Sequence, residues 1–315
     1  MNFGKNIRLY LVDGIPNGLT IAEIMNWTGH VMQAPRSSLA DLLDREEISR
    51  TGVYILTGEN PEIPGQLLVY IGESDSVKKR LTDHNKPVTA GGKEFWDKVT
   101  VVTSKDANLT KGHIRYLECR LLEIATKAGR AKLDNQTTPN QVSLPESDVA
   151  DMEFFLEQVR IVLPVLSVDI LREVATVRTD EDNVEKYDFK RRSPIFEIKP
   201  KKLPIRALAQ EIDGEFIVKA NSQARAEWKG VDSGYKNLRQ MLIDQNKLVL
   251  DVNDDKGCFI FPQDTPFKSP SAASAVIMGR SDNGRKTWVT QTTGQSYDVW
   301  QASLVEETGD ENDDQ

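Results

Sequence analysis

The segment TGVYILTGENPEIPGQLLVYIGESDSVKKRLTDH, residues 51–84, restricts the fold of this chain more than any other stretch. Two runs rich in β-branched and aromatic residues, GVYIL and LLVYIG, flank the turn-rich TGENPEIPGQ. Such runs read as two strands of a hairpin. Each carries a tyrosine close to a glycine, Gly52 with Tyr54 and Tyr70 with Gly72. The second run leads into a charged segment that Asp75 or Ser76 can cap as a helix, ending near His84. Spacing of i,i+4 on that helix sets Arg80 and His84 on one face.

The surrounding chain is read by the same rules. Residues 1–47 are expected to form a strand at IRLYLV, a turn at DGIPNG, a helix around Thr20–Trp27 and a second helix over Ser38–Glu47. KVTVVTS reads as a third strand of the next unit. In TKGHIRYLECRLLEIATKAG, Ile114, Leu117, Leu121 and Ala125 make a helical stripe that Gly129 can cap. SDVADMEFFLEQVRIVLPVL is a further helix, expected to end at Pro164. Charge-rich 171–193 reads as a connector. A second unit, 194–300, has strands near IFEIK, GEFIVKA and GCFIF and helices in GYKNLRQMLIDQ and SPSAASAVIMG, the latter with Ser269 as N-cap and Pro270 at the first helical position.

Composition bounds the class. With 39% hydrophobic and 28% charged residues over 315 positions, the chain has the makings of packed cores and room for two domains. No apolar run reaches the roughly 18 residues of a membrane span, and the N-terminus shows no cleavage-type segment, so no membrane association and a cytoplasmic location are expected. Cys119 and Cys258 lack zinc spacing and read as buried thiols. The formal charge of −8 speaks against a polyanionic partner, but its distribution is uneven. The tail at 301–315 carries six acids and no base and is expected to be disordered, leaving the rest near −2. Residues 185–206 hold eight bases against three acids, a local +5 that includes Lys190, Arg191, Arg192, Lys199, Lys201 and Lys202. That patch reads equally as a solvated linker or as a nucleic-acid contact, because phosphate contacts are local.

The ordered set GVY, YIG, KKRLTDH, RYLECRLL and KLDNQTTP resembles the GIY-YIG nucleases across about residues 50–165. The resemblance carries an Arg to Arg80, a His four residues on to His84, a Glu on a later helix to Glu118, and an Asn beyond that helix to Asn135. One departure stands out. Fifteen residues separate Tyr54 from Tyr70, more than the family's usual ten or so, and the extra ones are loop-forming. FKSPSAASAVIMGRSDNG and GEFIVKANSQAR are similar to a C-terminal domain of unknown function found in one subgroup of that family. What the resemblance implies is an α+β chain. A small three-stranded antiparallel sheet with flanking helices would occupy 48–170, preceded by an extension at 1–47 and followed by a separate α+β domain at 194–300.

It further implies a metal-dependent endonuclease that hydrolyses phosphodiester bonds of DNA, with RNA left open as substrate. Glu118 would hold Mg²⁺ (or Mn²⁺), an ion that keeps most of its waters and needs only one or two protein carboxylates. Arg80 would offer its charged fork to phosphate oxygens. Tyr54 and Tyr70 would set phenols at the reacting phosphate, with either Tyr54 or His84 as the general base. Asn135 completes the set, and Gly52 and Gly72 would let backbone approach substrate. Taken singly, each residue has a plainer reading: strand aromatics for the tyrosines, a solvated helix face for Arg80 and His84, a local ion pair with Arg115 or Arg120 for Glu118, a turn for Asn135. Two other readings of the whole are a catalytically silent binding module on the same fold and a protein-interaction role, with a homodimer or partner engaged through the C-terminal domain.

Overall fold

The computed structural model describes residues 4–63, 65–136, 143–172, 192–231, 234–251 and 257–309. The chain is α+β and divides into two compact units, Met1–Glu173 and Val174–Gln315.

The first unit is built on strands β1 (Ile7–Leu11), β2 (Thr20–Ile24), β3 (Gly29–Pro35), β4 (Gly52–Glu59), β5 (Leu67–Ser74), β6 (Lys98–Ser104) and β7 (Lys132–Leu133), and on helices α1 (Leu39–Leu43), α2 (Val77–His84), α3 (Lys111–Ala128) and α4 (Glu146–Val165). The strands form one sheet in the order β1-β2-β3-β6-β4-β5-β7. All neighbours are antiparallel except β5 and β7. The sheet therefore has seven strands rather than the expected three. The reason lies in β3, which pairs with β6 along its whole length, from Gly29↔Ser104 to Pro35↔Lys98. The N-terminal strands are thus part of the same sheet, not an appendage ending at residue 47.

The helix expected around Thr20–Trp27 is the strand β2. Ile21 belongs to the core on one face of the sheet, while Ala22 and Ile24 belong to the core on the other. With apolar residues on both faces and Glu23 among them, TIAEI lacks strict alternation, and so short a stretch cannot be told from a buried helix by periodicity. The helix expected over Ser38–Glu47 is shorter, the five residues of α1 between two 3₁₀ turns, with Leu39 and Leu42 buried. Pro164 lies within the last turn of α4 rather than ending it.

Each face of the sheet has its own core. Val53, Ile55, Val69, Ile71 and Val102 pack with Ile114, Leu117 and Leu121 of α3 and Phe155 and Val159 of α4. Tyr54, Leu56, Val99 and Val101 pack on the other face with Leu39 and Leu42 of α1 and Val77 and Leu81 of α2. Gly129 closes α3 at φ +60°, as its sequence position suggested.

The second unit contains β8 (Arg192–Ile198), β9 (Ala207–Ile212), β10 (Glu215–Val218), β11 (Gln223–Ala224), α5 (Gly234–Asp244), β12 (Val249–Leu250), β13 (Phe259–Ile260), β14 (Thr265–Phe267), α6 (Pro270–Met278), α7 (Gly284–Thr287), β15 (Val289–Thr290) and α8 (Tyr297–Gly309). A five-stranded sheet, β14-β10-β9-β8-β15, accompanies a small β11-β13-β12 sheet. Helix α6 is buried from Ala272 to Met278, and the Ser269 hydroxyl accepts from the Ala272 amide at 3.1 Å, the cap its sequence announced. Arg239, 4% exposed, donates to the carbonyls of Val276, Arg225 and Ala226 and lies 5.1 Å from the Phe259 ring centroid. It ties α5 to α6 and to the chain after β11.

The connector expected at 171–193 falls mostly on 173–191, outside the described residues, although Leu171 at its start is core and Ser193 at its end lies in β8. The acidic tail expected to be disordered from 301 is instead helical through Gly309 in α8, and 310–315 lie outside the described residues. Among the described residues no helix is long and apolar enough to cross a membrane.

Candidate functional site

Register brings the tyrosines together. Tyr54 on β4 stands directly across from Gly72 on β5, and Leu56 stands across from Tyr70, so the two tyrosines are diagonal neighbours on one face. Their ring centroids lie 6.1 Å apart. The pairing runs unbroken from Gly52↔Ser74 to Glu59↔Leu67. The long connection closes on itself, with Asn60 N donating to Gln66 O at 2.8 Å and Gly65 N to a Glu59 carboxylate oxygen at 2.7 Å. The added loop length thus leaves the tyrosine register intact.

The glycines have an internal purpose. A Cβ on Gly72 would lie 2.4 Å from the Tyr54 hydroxyl and 2.9 Å from Tyr70 Cε1. A Cβ on Gly52 would lie 2.5 Å from the Val102 carbonyl oxygen on β6. Where approach to substrate was expected, Gly72 makes room for the Tyr54 ring and Gly52 for a neighbouring strand. Gly72→Ala should therefore destabilise the protein by about 1–3 kcal/mol, the usual cost of overpacking a core, since Tyr54 has no free space to retreat into. Urea unfolding of the variant measures this.

Helix α2 lies over the same face. His84, its last residue and 5% exposed, places Nε2 2.8 Å from the Tyr54 hydroxyl. The imidazole also meets the Tyr70 ring edge-on, at a centroid distance of 5.2 Å. Burial, reinforced by the positive charges of Arg80 and Lys93, lowers the His84 pKa to about 4 against weaker opposition from Asp83 and Asp134. The ring is thus neutral near pH 7 and can accept the Tyr54 proton. Tyr54 is fully buried, and that burial, followed by the adjacent Tyr70, pushes its phenol well above the usual range. Arg80, exposed on α2, interacts with both phenols, and these contacts raise its own pKa despite partial burial.

Glu118 comes from the other side. It is half-buried on α3, whose apolar residues belong to the core on the opposite face of the sheet. Its link to the cluster is the charge of Arg80. Burial first, then the Glu73 carboxylate, pushes the Glu118 carboxyl up to about 7, while Lys111, Arg115 and Arg80 pull it down. Asn135 reaches β5 through its side-chain amide: Ile71 N donates to Oδ1 at 3.1 Å, and Nδ2 donates to Ile71 O at 2.7 Å. It thereby holds the strand segment between Tyr70 and Gly72.

Five further charged residues adjoin the site. Lys93 places its ammonium 4.2 Å from the Tyr70 ring centroid and 2.5 Å from Asp134. Lys111, the first residue of α3, pairs with Glu73 at 2.6 Å and with Asp75 at 3.3 Å. Only adjacency to the motifs marks these in the sequence: Glu73 follows YIG, and Asp134 precedes Asn135. In the second unit Lys199, Lys201 and Lys202 are exposed in the turn after β8 and Arg192 is half-buried within it, whereas Lys190 and Arg191 lie outside the described residues.

The first unit is thus an α+β sheet protein with a buried Tyr–His pair, a second tyrosine and an exposed arginine on one sheet face, and a half-buried glutamate within reach of that arginine's charge. Residues 196–301 match a domain family of unknown function, DUF4357, in close agreement with the second unit read from the sequence. No GIY-YIG family was matched. No curated protein and no solved structure matches the chain.

Proposed function

We propose that the first unit is a metal-dependent endonuclease of the GIY-YIG type, cutting phosphodiester bonds of DNA. The observation that carries this reading is the 2.8 Å contact between the Tyr54 hydroxyl and a neutral His84, with Tyr70 and Arg80 gathered on the same face. A buried phenol resists ionisation by itself, but it can pass its proton to Nε2 as it takes one from water. Arg80 interacts with the Tyr54 phenol and is exposed, so a water gains that oxygen once the guanidinium turns to a bound phosphate. There its fork would offset charge growing on the non-bridging oxygens.

The donor set suits Mg²⁺ or Mn²⁺ and not a caged metal. Among the described residues there is no group of three or more His, Cys, Asp or Glu side chains arranged to hold an ion, and Glu118 offers one half-buried carboxylate. Mg²⁺ binds acceptably to a single carboxylate with water filling the other positions. Glu118 would hold it, and the bound ion would supply charge stabilisation at the leaving oxygen.

Nicking of supercoiled plasmid in Mg²⁺, abolished by EDTA, is the expected result. Intact plasmid under Mg²⁺ and Mn²⁺, with undiminished DNA binding, would leave a silent binding module. Within the reading, Arg80→Ala should slow nicking by about 10²-fold or more, the scale of removing one preorganised transition-state donor. Arg80→Lys should recover little, because the planar fork is lost. Full activity in the lysine variant would reduce Arg80 to a point charge.

Binding strength is assigned to the basic run at 185–206. Neutralising Lys190, Arg191, Arg192, Lys199, Lys201 and Lys202 together should weaken DNA binding irrespective of sequence and flatten the plot of log K against log salt. An unchanged slope would make the run a linker.

A further inference from the structure

Beside the Tyr54–His84 pair stands an ion pair that neither motif includes. Lys93 follows the chain's return from α2 and is tied to that helix through its amide, which donates to the His84 carbonyl at 2.9 Å. Asp134 is tied to β5, its amide donating to the Val69 carbonyl at 2.7 Å. Their side chains meet at 2.5 Å, bridging the end of α2 to the strand that carries Tyr70. Each is only partly exposed, 23% for Lys93 and 34% for Asp134. The ammonium rests 4.2 Å from the centroid of the Tyr70 ring, whose partner on the other contact is the His84 edge.

We propose that Lys93, tethered by Asp134, is a positioning residue of this site: it pins the face of the Tyr70 ring against His84 and holds a fixed positive charge beside the Tyr54–His84 pair. The catalytic consequence rests on the endonuclease reading, while the geometry stands without it. A cation fixed over an aromatic face is held by the ring quadrupole as well as by its carboxylate. Both ends of the tether are anchored by backbone hydrogen bonds, so the ring has a defined seat rather than a rotatable one.

The charge has a second effect. The groups facing His84 are Tyr54 and Tyr70 on the sheet, Arg80 and Asp83 on α2, Lys93 on the return chain and Asp134 after β7. Asp83 is itself paired with Lys86 at 2.6 Å. Lys93 and Asp134 act on the imidazole with opposite signs. Removing one or the other therefore moves His84 in opposite directions, which a purely structural role would not do.

The experiment is an NMR titration of ¹³C-histidine-labelled full-length protein, in which His84 is one of three histidines and is assigned by the loss of its signal in His84→Gln. In Lys93→Met the His84 midpoint should rise by about 0.5 pH unit or more, in Asp134→Asn it should fall, and Lys93→Arg should restore the parent value. Plasmid nicking by Lys93→Met should show kcat reduced about tenfold with KM unchanged, and Lys93→Arg should recover most of it. A folded Lys93→Met protein whose His84 midpoint does not move would overturn the proposal. So would a raised KM with kcat intact, which would make Lys93 a substrate-binding cation. If Lys93→Met fails to fold, a midpoint in Asp134→Asn that stays put or rises overturns it equally. Absence of nicking by the parent protein would sink the endonuclease reading and leave the titration to decide the positioning role.

Discussion

Glu118→Ala is expected to abolish Mg²⁺-dependent nicking while the protein stays folded. Glu118 holds the position that the resemblance implies for the metal ligand, and its carboxyl is raised in the folded protein. Burial and Glu73 push its carboxyl up to about 7, so near neutrality it exchanges a proton for a metal at little cost. Apparent Mg²⁺ affinity should accordingly climb with pH up to about 7, roughly tenfold per unit on the acid side, and level off above. The sign for stability follows from the same shift. A carboxyl raised in the folded state favours folding at low pH; its contribution is complete below about 4.5, the unfolded value, and is lost as pH rises through about 7. Glu118→Gln should therefore be at least as stable as the parent at pH 8, a gap that closes by pH 4, as measured by thermal unfolding. Nicking retained by a folded Glu118→Ala protein would remove the proposed metal role.

Tyr54→Phe should be nearly inactive, and His84→Ala impaired but measurable. The phenylalanine keeps the buried ring and removes only the oxygen that meets Nε2 and that, in the proposed reaction, takes the proton from water; the imidazole nitrogen left unpaired costs about 1–3 kcal/mol of stability. The alanine removes the acceptor and leaves the phenol to shed its proton to solvent. Were His84 the direct base, the ranking would reverse. Its acid limb would then follow the lowered imidazole, near pH 4, and not the ordinary histidine value near 6.5. Single-turnover rates of both variants between pH 4 and 9 distinguish the cases: a Tyr54→Phe protein faster than His84→Ala would make His84 the base.

The local elements with short-range signals were legible in the chain alone. The hairpin of β4 and β5, the helix carrying Arg80 and His84, β6 and the Gly129 cap of α3 all follow from alternation, apolar spacing and a residue's own backbone preference. Ser269 and Pro270 announced α6 in the same way, and the second unit was legible because its phrases resemble a domain that its residues do match. In the candidate site, the residue types were readable, and so was the closeness of Arg80 to His84, because helical spacing alone sets it.

Features that depend on partners distant in sequence emerged only from the three-dimensional fold. Thr20–Ile24 is a strand because β1 and β3 flank it and both its faces are covered, facts that no local period encodes. Gly72 is required by the ring of Tyr54, eighteen residues away along the chain but directly opposite in the sheet. The neutrality of His84 comes from burial and from two cations, Arg80 on its own helix and Lys93 on the chain that returns from it, and the elevation of Glu118 on α3 comes from burial and from the Glu73 carboxylate on β5. Lys93 and Asp134 are forty-one positions apart and meet only because α2's return chain and β7 both end beside Tyr70. Charge and hydrogen-bond energies depend on distance and local dielectric, and the fold alone supplies both.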